Sequence, residues 1–434
     1  MRPLRLDQTL SDYLRIQTEN PPGREMPALE FLDGILKQRG LEPVIHETAP
    51  HRGVLECSIG PSEGGSIVLL HHVDVVPAAN EGWDVPPYSG EIRDGYIWGR
   101  GALDMKGMGI MELGAFLAMA ENAGSLKKRV TYLAVSDEEQ GGVFGAKWAA
   151  DNLIDRLRPE LVINEGGAGI KDVLISGTAF VVEVTQKAVM KLKLVATGTP
   201  GHGSSPPPTY ATKSLVLALD RVLSHRFDAH ITPVVAEMMA RMSMRMSGVQ
   251  RTAMKRAGSP LFQRFLAGRI ARHPQVGSMI RTSVSLTMLA AGDAPNSIPG
   301  RAEAILDIRV LPGHEPAEVV KTIEGLVAEY GVRVEHSELP GTPKVSPFDS
   351  EHFRIIERGL KSEIPDALVV PYMSTGATDS RFFREKGIPC YGIMPAVVSN
   401  EDLSSVHGYN EKISVDNLEM GARMLVRIVE ELCL

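Results

Sequence analysis

Short apolar runs alternate with amphipathic helical stretches in the first part of the chain. The runs at 66–70 and 129–135 are almost wholly apolar, which is typical of strands buried on both faces of a parallel sheet. Helical periodicity occurs at 5–18, at 26–39 and at 105–121. This alternation predicts an α/β fold with a mostly parallel sheet and helices on both of its faces.

A second pattern begins near Val181, where the predicted strands have one polar face. Strands are predicted at 181–184, 192–195, 283–288, 302–309 and 332–334, with helices at 210–224 and 316–329. The order β-α-β-β-α-β predicts a smaller α+β domain of the ferredoxin-like kind. We expect this domain at 183–338, with a Met-rich helical insertion at about 226–280, and a larger domain formed by 1–182 and 339–434.

Composition and charge restrict the class of protein. The 434 residues are 43% hydrophobic and 23% charged, as in an ordinary globular protein, and the net charge of −7 argues against nucleic-acid binding. No apolar run approaches the ~20 residues of a membrane span. The N-terminus lacks an apolar signal core, and the cysteines at 57, 390 and 433 are isolated in sequence. We therefore expect a cytoplasmic protein without membrane or nucleic-acid partners.

Histidines and carboxylates follow the predicted strands of the larger domain. His72 and Asp74 come after the run at 66–70, and Glu138 and Glu139 come after the run at 129–135. Because the carboxyl ends of parallel strands meet at one edge of a sheet, we expect these side chains to lie together. Further candidates lie in glycine-containing segments, at Asp104, Glu165 and His407.

These residue types suit a pair of metal ions. Histidine and carboxylate ligands without cysteine favour Zn²⁺, with Co²⁺ or Mn²⁺ as alternatives. A metal pair needs a bridging carboxylate, for which Asp104 is the candidate, although an aspartate before a helix is also a good N-cap. Asp74 can accept a hydrogen bond from the ring of His72. Of Glu138 and Glu139, one can bind metal while the other acts as a general base.

In this order, the segments resemble the M20 family of metallopeptidases and amidohydrolases, from His72 to His407. That family includes glutamate carboxypeptidases, aminoacylases and succinyl-diaminopimelate desuccinylases. The resemblance implies a catalytic α/β domain with two zinc ions and an inserted lid domain that dimerises. It implies Glu138 as the general base, Asp74 as the partner of His72, and a cis peptide between Asp104 and Met105. The metal ligands that it implies are His72, Asp104 as the bridge, Glu139, Glu165 and His407.

The lid segment resembles the same family. Gly198 to Ser204 is similar to the family's G-x-x-G-H-G-S, in which the histidine, here His202, stabilises the oxyanion of a neighbouring subunit. The resemblance further implies Asn296 and Arg309 as substrate-binding residues, with Arg309 holding a substrate carboxylate. The loop at Thr375 and Gly376 resembles a substrate-contacting loop.

We expect a homodimeric di-zinc hydrolase that cleaves the amide bond of N-acyl amino acids or short peptides with a free C-terminal carboxylate. In the family that this chain resembles, glutamate at the position of Glu165 is typical of carboxypeptidases and deacylases, whereas aspartate is typical of aminopeptidases and dipeptidases. The alternatives are a dipeptidase of the same family, a deacylase specific for di-acids, and a non-catalytic metal- or peptide-binding protein. The insertion at 226–280 is interpreted either as an adaptable wall for an acyl group or, preferably, as a helical core or dimer contact.

Overall fold

The fold is that of a computed structural model, which describes residues 4–172, 175–260, 263, 267, 274–336 and 338–434, with the backbone alone at 274–276. The helices are α1 Leu6–Leu14, α2 Met26–Gln38, α3 Lys106–Ala120, α4 Ala146–Asn152, α5 Ile154–Leu157, α6 Ala211–Ser224, α7 Pro233–Met242, α8 Gly248–Lys255, α9 Pro274–Met279, α10 Pro316–Val327, α11 Glu351–Lys361, α12 Ser380–Glu385, α13 Asn400–Ser405 and α14 Val415–Cys433. The strands are β1 Val44–Ala49, β2 Arg52–Ile59, β3 Ser66–His72, β4 Glu91–Arg93, β5 Tyr96–Trp98, β6 Arg129–Val135, β7 Pro159–Lys171, β8 Thr178–Gln186, β9 Ala188–Thr197, β10 Gly201–His202, β11 Ser283–Ala291, β12 Ser297–Ile298, β13 Arg301–Val310, β14 Arg333–His336, β15 Leu368–Ser374, β16 Cys390–Val398 and β17 Lys412–Ser414.

The large sheet has the strand order β1-β2-β6-β3-β7-β16-β8-β15. Its central strands β6, β3, β7 and β16 run parallel to one another, as predicted. Alternate residues of β3 enter two separate hydrophobic clusters: Ile67 and Leu69 face the layer that contains α3 and α14, whereas Val68 and Leu70 face the layer that contains α4 and α12. Burial on both faces explains why this strand reads as a continuous apolar run.

The smaller antiparallel sheet has the order β11-β13-β9-β14, with α6 and α10 packed against it around a hydrophobic cluster of its own. Its elements follow one another as β9-α6-β11-β13-α10-β14, so the predicted β-α-β-β-α-β order is confirmed. The polar face predicted for residues 181–184 is wrong. Glu183, on the face expected to be polar, is fully buried because β8 belongs to the large sheet, where it pairs with β15.

The described part of the Met-rich insertion packs on the large sheet. Met238, Met239 and Met242 of α7 are buried in the same hydrophobic cluster as the strands of that sheet, and α7 contacts β15. This agrees with the helical-core interpretation, and these methionines do not form a wall for an acyl group. Part of the predicted insertion lies outside the described residues, at 261–262, 264–266 and 268–273. None of the described helices combines the length and apolarity that a membrane crossing requires.

Candidate metal centre

The candidate centre lies at the carboxyl edge of the parallel strands. β3 ends at His72, which is paired with Val135, the last residue of β6. The chain then turns through a short 3₁₀-helix, Glu138–Gln140, followed by Gly141 and Gly142, whose φ angles of 113° and 67° favour glycine. Because the two strand ends are neighbours in the sheet, His72 and the two glutamates face the same space, as the sequence predicts.

Asp104 lies between two histidines that are distant in sequence. One carboxylate oxygen, Oδ1, is 3.1 Å from His72 Nε2, and the other, Oδ2, is 3.0 Å from His407 Nε2. The N-cap of α3 is Met105, so Asp104 does not fill the alternative role of a helix cap. The peptide bond between Asp104 and Met105 is cis, as the family resemblance implies.

The remaining carboxylates divide between the two histidines. Glu165 Oε1 is 3.7 Å from His72 Nε2, and Glu139 Oε1 is 3.3 Å from His407 Nε2. Potential ligand atoms lie within 4.8 Å of one another in two overlapping groups, one with His72, Glu138 and Glu165 and the other with His72, Asp104 and Glu139. The structure thus brings together all six of the residues predicted as metal ligands or general base.

Asp74 has a different contact from the one predicted. His72 Nδ1 lies 2.9 Å from the main-chain oxygen of Asp74 and 3.6 Å from its carboxylate. The carboxylate instead accepts the backbone N–H of Glu138 and that of Glu139, each at 3.1 Å, and the side-chain amide of Asn20 at 2.9 Å. Asp74 therefore orients the ring of His72 through its own main-chain oxygen. It orients Glu138 and Glu139 through its carboxylate.

Burial and crowding of like charges shift the pKa values of the cluster. Burial, followed by the charge of Asp104, raises the pKa of Glu165 well above its usual value. Burial also raises the pKa of Glu138, with further contributions from Asp379 and Glu139. Burial would raise the pKa of Asp104, but hydrogen bonds from His407 and His72 lower it below its usual range. Four carboxylates therefore converge on two imidazoles in a partly desolvated space.

The residues present fit a pair of divalent cations. Both histidines direct Nε2 at carboxylate oxygens, and the buried Oε1 of Glu139 has no neighbour in the described part of the chain to pair with other than His407 Nε2 at 3.3 Å. Burying unpaired carboxylates is costly, and cations at this point would offset that cost. Imidazole and carboxylate ligands, with one carboxylate between two sets, are a chemically suitable donor set for zinc.

A cavity of about 920 Å³ opens from this cluster towards the smaller sheet. Glu138, Glu139 and His407 line one side, and Arg309 lines the other. Arg309 is engaged by Asp307, which accepts Nε at 2.6 Å and Nη2 at 3.2 Å. Gly376 also lines the cavity, and its backbone N–H donates to Ser374 Oγ at 3.1 Å.

Three predicted site residues do not line the cavity. His202 is exposed on β10, where its Nδ1 is 2.8 Å from Ser204 Oγ, and Asn296 is exposed next to it, bonded through its carbonyl to the N–H of Gly203. Neither of them, nor Thr375, belongs to the described lining of the cavity. Within a single chain, the structure does not bring these three residues to the cluster.

Several buried polar residues near the centre were missed by the sequence analysis. Asn20 links the N-terminal loop to Asp74, and Glu411 binds the turn that carries Asp104. Asp379 is buried, and both of its oxygens lack a hydrogen-bond partner among the described residues. Burial raises the pKa of Asp379 to about 7. These residues lie in loops, and nothing in the local sequence indicates that their side chains are buried.

Comparisons with known proteins agree with this geometry. A family model described as "Peptidase family M20/M25/M40" matches residues 68–431. The chain is 30% identical over 376 residues to "N-fatty-acyl-amino acid synthase/hydrolase PM20D1" of Xenopus tropicalis, a match that covers 84% of this chain and 72% of that protein. It is 27% identical over 428 residues to "Aminoacylase-1A" of Rattus norvegicus, covering 97% and 93% of the two chains. Its fold is similar to that of the M20 family metallo-carboxypeptidase Sso-CP2 from Sulfolobus solfataricus, with a TM-score of 0.76, 18% identity, and 98% and 99% of the two chains covered.

Proposed function

The chain belongs to peptidase family M20/M25/M40, and from this membership we propose that it is a di-zinc hydrolase of N-acyl amino acids or of short peptides with a free C-terminal carboxylate. As a member of the family it is a metal-dependent amidohydrolase or peptidase. The observation that carries the proposal is the position of Asp104, with one carboxylate oxygen near His72 and the other near His407. A carboxylate shared between two ligand sets is what a co-catalytic metal pair requires.

We assign one zinc ion to His72 and Glu165 and the other to Glu139 and His407, with Asp104 shared by both. The assignment is supported by the distances of 3.7 Å between His72 Nε2 and Glu165 Oε1 and of 3.3 Å between His407 Nε2 and Glu139 Oε1. When bound, the metal pair supplies Lewis-acid polarisation of the scissile carbonyl and of the attacking water. Co²⁺ and Mn²⁺ suit the same ligands.

The protein's own residues move the proton and hold the substrate. Glu138 takes a proton from the attacking water and returns it to the leaving amine, and burial, which raises its pKa well above the usual value, favours its holding the proton between the two steps. Asp74 holds Glu138 in position by accepting its backbone N–H. Arg309 binds the substrate carboxylate from the other wall of the cavity, a task that suits its bidentate guanidinium.

Two observations bear on the acyl group. Relatives that share 30% identity with this chain are named for N-fatty-acyl-amino acids, which favours a long apolar acyl chain. The cavity wall, however, carries many charged side chains, which favours a short or polar acyl group. The charged residues of this wall include Lys147, Lys191, Asp307, Glu338, Lys344, Arg381 and Glu385.

We propose that the smaller sheet belongs to a lid domain, expected at about 183–338 and beginning with β9 at Ala188, that forms a homodimer. The edge strand β11 supports this, because Met288 and Leu289 are 62% and 57% exposed on it, an unusual exposure for large apolar side chains on a strand at the edge of a sheet. In such a dimer, His202 and Asn296 would serve the partner's site, with His202 stabilising the oxyanion and Asn296 contacting the substrate. Closure of the lid would bring these groups to the metal centre.

The proposal is tested with a substrate panel. Zinc-loaded protein is incubated with N-acetyl and N-long-chain-acyl amino acids, with the amides of the same amino acids, and with dipeptides that carry a free amine. We expect a free amino acid to be released from the N-acyl amino acids with a free carboxylate. Release should stop after treatment with a chelator and in Glu138→Gln, which should keep its zinc. The same chemical change at an exposed glutamate outside the cavity, Glu63→Gln, is the matched control and should remain active.

Other outcomes of the panel distinguish the alternatives. Faster cleavage of dipeptides with a free amine would replace the deacylase proposal with the dipeptidase. Release only from N-acyl groups that carry a second carboxylate would indicate a di-acid-specific deacylase. Two bound zinc ions without release from any compound would favour the binding protein.

A further inference from the structure

Glu411 is a fully buried glutamate in the loop that carries His407. Its Oε1 accepts the backbone N–H of Leu103 at 2.8 Å and that of Asp104 at 3.0 Å. Its Oε2 accepts the N–H of Gly101 at 3.0 Å and Arg100 Nη1 at 2.6 Å. One side chain of this loop therefore accepts three backbone N–H groups of the turn that leads to Asp104, those of Gly101, Leu103 and Asp104.

Arg100 completes a second connection between the same two segments. Its Nη2 donates to the main-chain oxygen of Gly408 at 2.6 Å, next to His407. The backbone N–H of Gly99 donates to the main-chain oxygen of Glu411 at 2.9 Å. The turn at 99–104 and the loop at 407–411 are thus joined by hydrogen bonds that the turn donates and the loop accepts, through both side-chain and main-chain oxygens.

We propose that Glu411, together with Arg100, is a positioning pair that fixes Asp104 against His407 and so sets the affinity of the metal ion held by Glu139 and His407. This inference rests on the proposed function. The two segments supply Asp104 Oδ2 and His407 Nε2, which lie 3.0 Å apart. Neither Glu411 nor Arg100 is assigned a contact with the metal. Groups that orient metal ligands typically change metal affinity roughly 10–100-fold when they are replaced.

The contacts of Glu411 and Arg100 depend on the chemical identity of both side chains. Both oxygens of Glu411 receive only N–H donors, so a glutamine there must turn its own NH₂ group towards one of the two donor pairs. Either orientation leaves two donors facing each other in a buried space, which would loosen the turn before Asp104. A lysine at position 100 keeps the charge but lacks the fork that contacts Glu411 and Gly408 together.

The test compares Glu411→Gln with Glu56→Gln. Glu56 is a second buried glutamate with polar neighbours, His46 at 2.9 Å and Arg156 at 3.1 Å, on strand β2. Zinc content is measured after dialysis at buffered free zinc, stepwise affinities are measured by competition with a chromophoric chelator, and thermal unfolding of the metal-free proteins reports the fold. We expect the parent and Glu56→Gln to bind two zinc ions with equal affinities. We expect Glu411→Gln to keep one and to bind the second roughly 10–100-fold more weakly.

Arg100→Lys provides a second variant and should weaken the same zinc ion by a smaller factor. Unchanged affinity for both zinc ions in Glu411→Gln would overturn this proposal alone, and so would an equal loss of both. A parent that binds fewer than two metal ions would overturn the proposed function as well. The two failures are therefore distinguishable.

Discussion

Asp307 accepts two hydrogen bonds from Arg309, two residues along the same strand, in the wall of the cavity. The guanidinium that we assign to the substrate carboxylate is thus already paired with a carboxylate. A substrate carboxylate must share Arg309 with Asp307 or replace Asp307. This competition weakens substrate binding, whereas the contact with Asp307 keeps Arg309 in place. Charge-assisted hydrogen bonds of this kind contribute about 1.5–3 kcal/mol.

Arg309→Lys is expected to raise KM for N-acyl amino acids roughly 10-fold or more, because lysine cannot bind a carboxylate with two parallel bonds. Hydrolysis of the corresponding amides, which lack the carboxylate, should change little. Asp307→Asn should lower KM for the carboxylate substrates, since it removes the competing charge. Steady-state kinetics with acid and amide pairs checks both. An equal effect on acids and amides would mean that Arg309 does not bind the carboxylate.

Asp104→Asn is expected to abolish binding of at least one zinc ion and to lower kcat by more than roughly 100-fold. An amide offers one oxygen where the two histidines face two carboxylate oxygens. The fold should persist, because Glu411 holds the backbone of Asp104 rather than its side chain. Zinc analysis with circular dichroism checks this. Retention of two zinc ions with full activity would remove Asp104 from the bridge.

The action of His202 in the partner's site can be tested by mixing two inactive variants. His202→Ala and Glu138→Gln should each be inactive alone, and exchange of subunits should restore activity, because a mixed dimer contains one site with both side chains intact. Met288→Lys on the edge strand should yield monomers with low activity, since lysine disfavours pairing at an edge. The checks are activity after mixing and mass from light scattering. Exchange without recovery would show that His202 does not act between subunits.

Glu25 predicts a pH dependence of stability. It is fully buried, neither carboxylate oxygen has a hydrogen-bond partner in the described part of the chain, and Arg52 Nη1 is 3.9 Å away. Burial, followed by the charge of Asp74, raises its pKa to about 7 from an ordinary value of 4.5. Between these values the unfolded chain loses the proton first, so the free energy of unfolding falls as pH rises and then levels off above pH 7.

The decrease in the free energy of unfolding between these two pH values amounts to roughly 3 kcal/mol. Glu25→Gln should remove it, so that the variant becomes more stable than the parent at pH 8 and differs less at pH 5. Urea unfolding of both proteins at these two pH values is the measurement. A variant less stable than the parent at pH 8 would indicate an ionised Glu25 stabilised by Arg52.

The sequence alone determined the elements whose signal is local. The apolar runs at 66–70 and 129–135 predicted buried strands, because a strand covered on both faces must be apolar throughout. Since parallel strands end at a common edge, the residues that follow these runs also predicted the cluster of His72, Glu138 and Glu139.

Only the tertiary structure decided which polar residues are buried and what they contact. Glu411 binds the turn before Asp104, and the carboxylate of Asp74 accepts the backbone N–H groups of Glu138 and Glu139 while its main-chain oxygen contacts the ring of His72. Glu183 is buried because β8 lies between β16 and β15, which no local pattern reveals. A buried charge is tolerated only with partners, and here those partners come from distant segments, so its burial cannot be predicted from neighbouring residues.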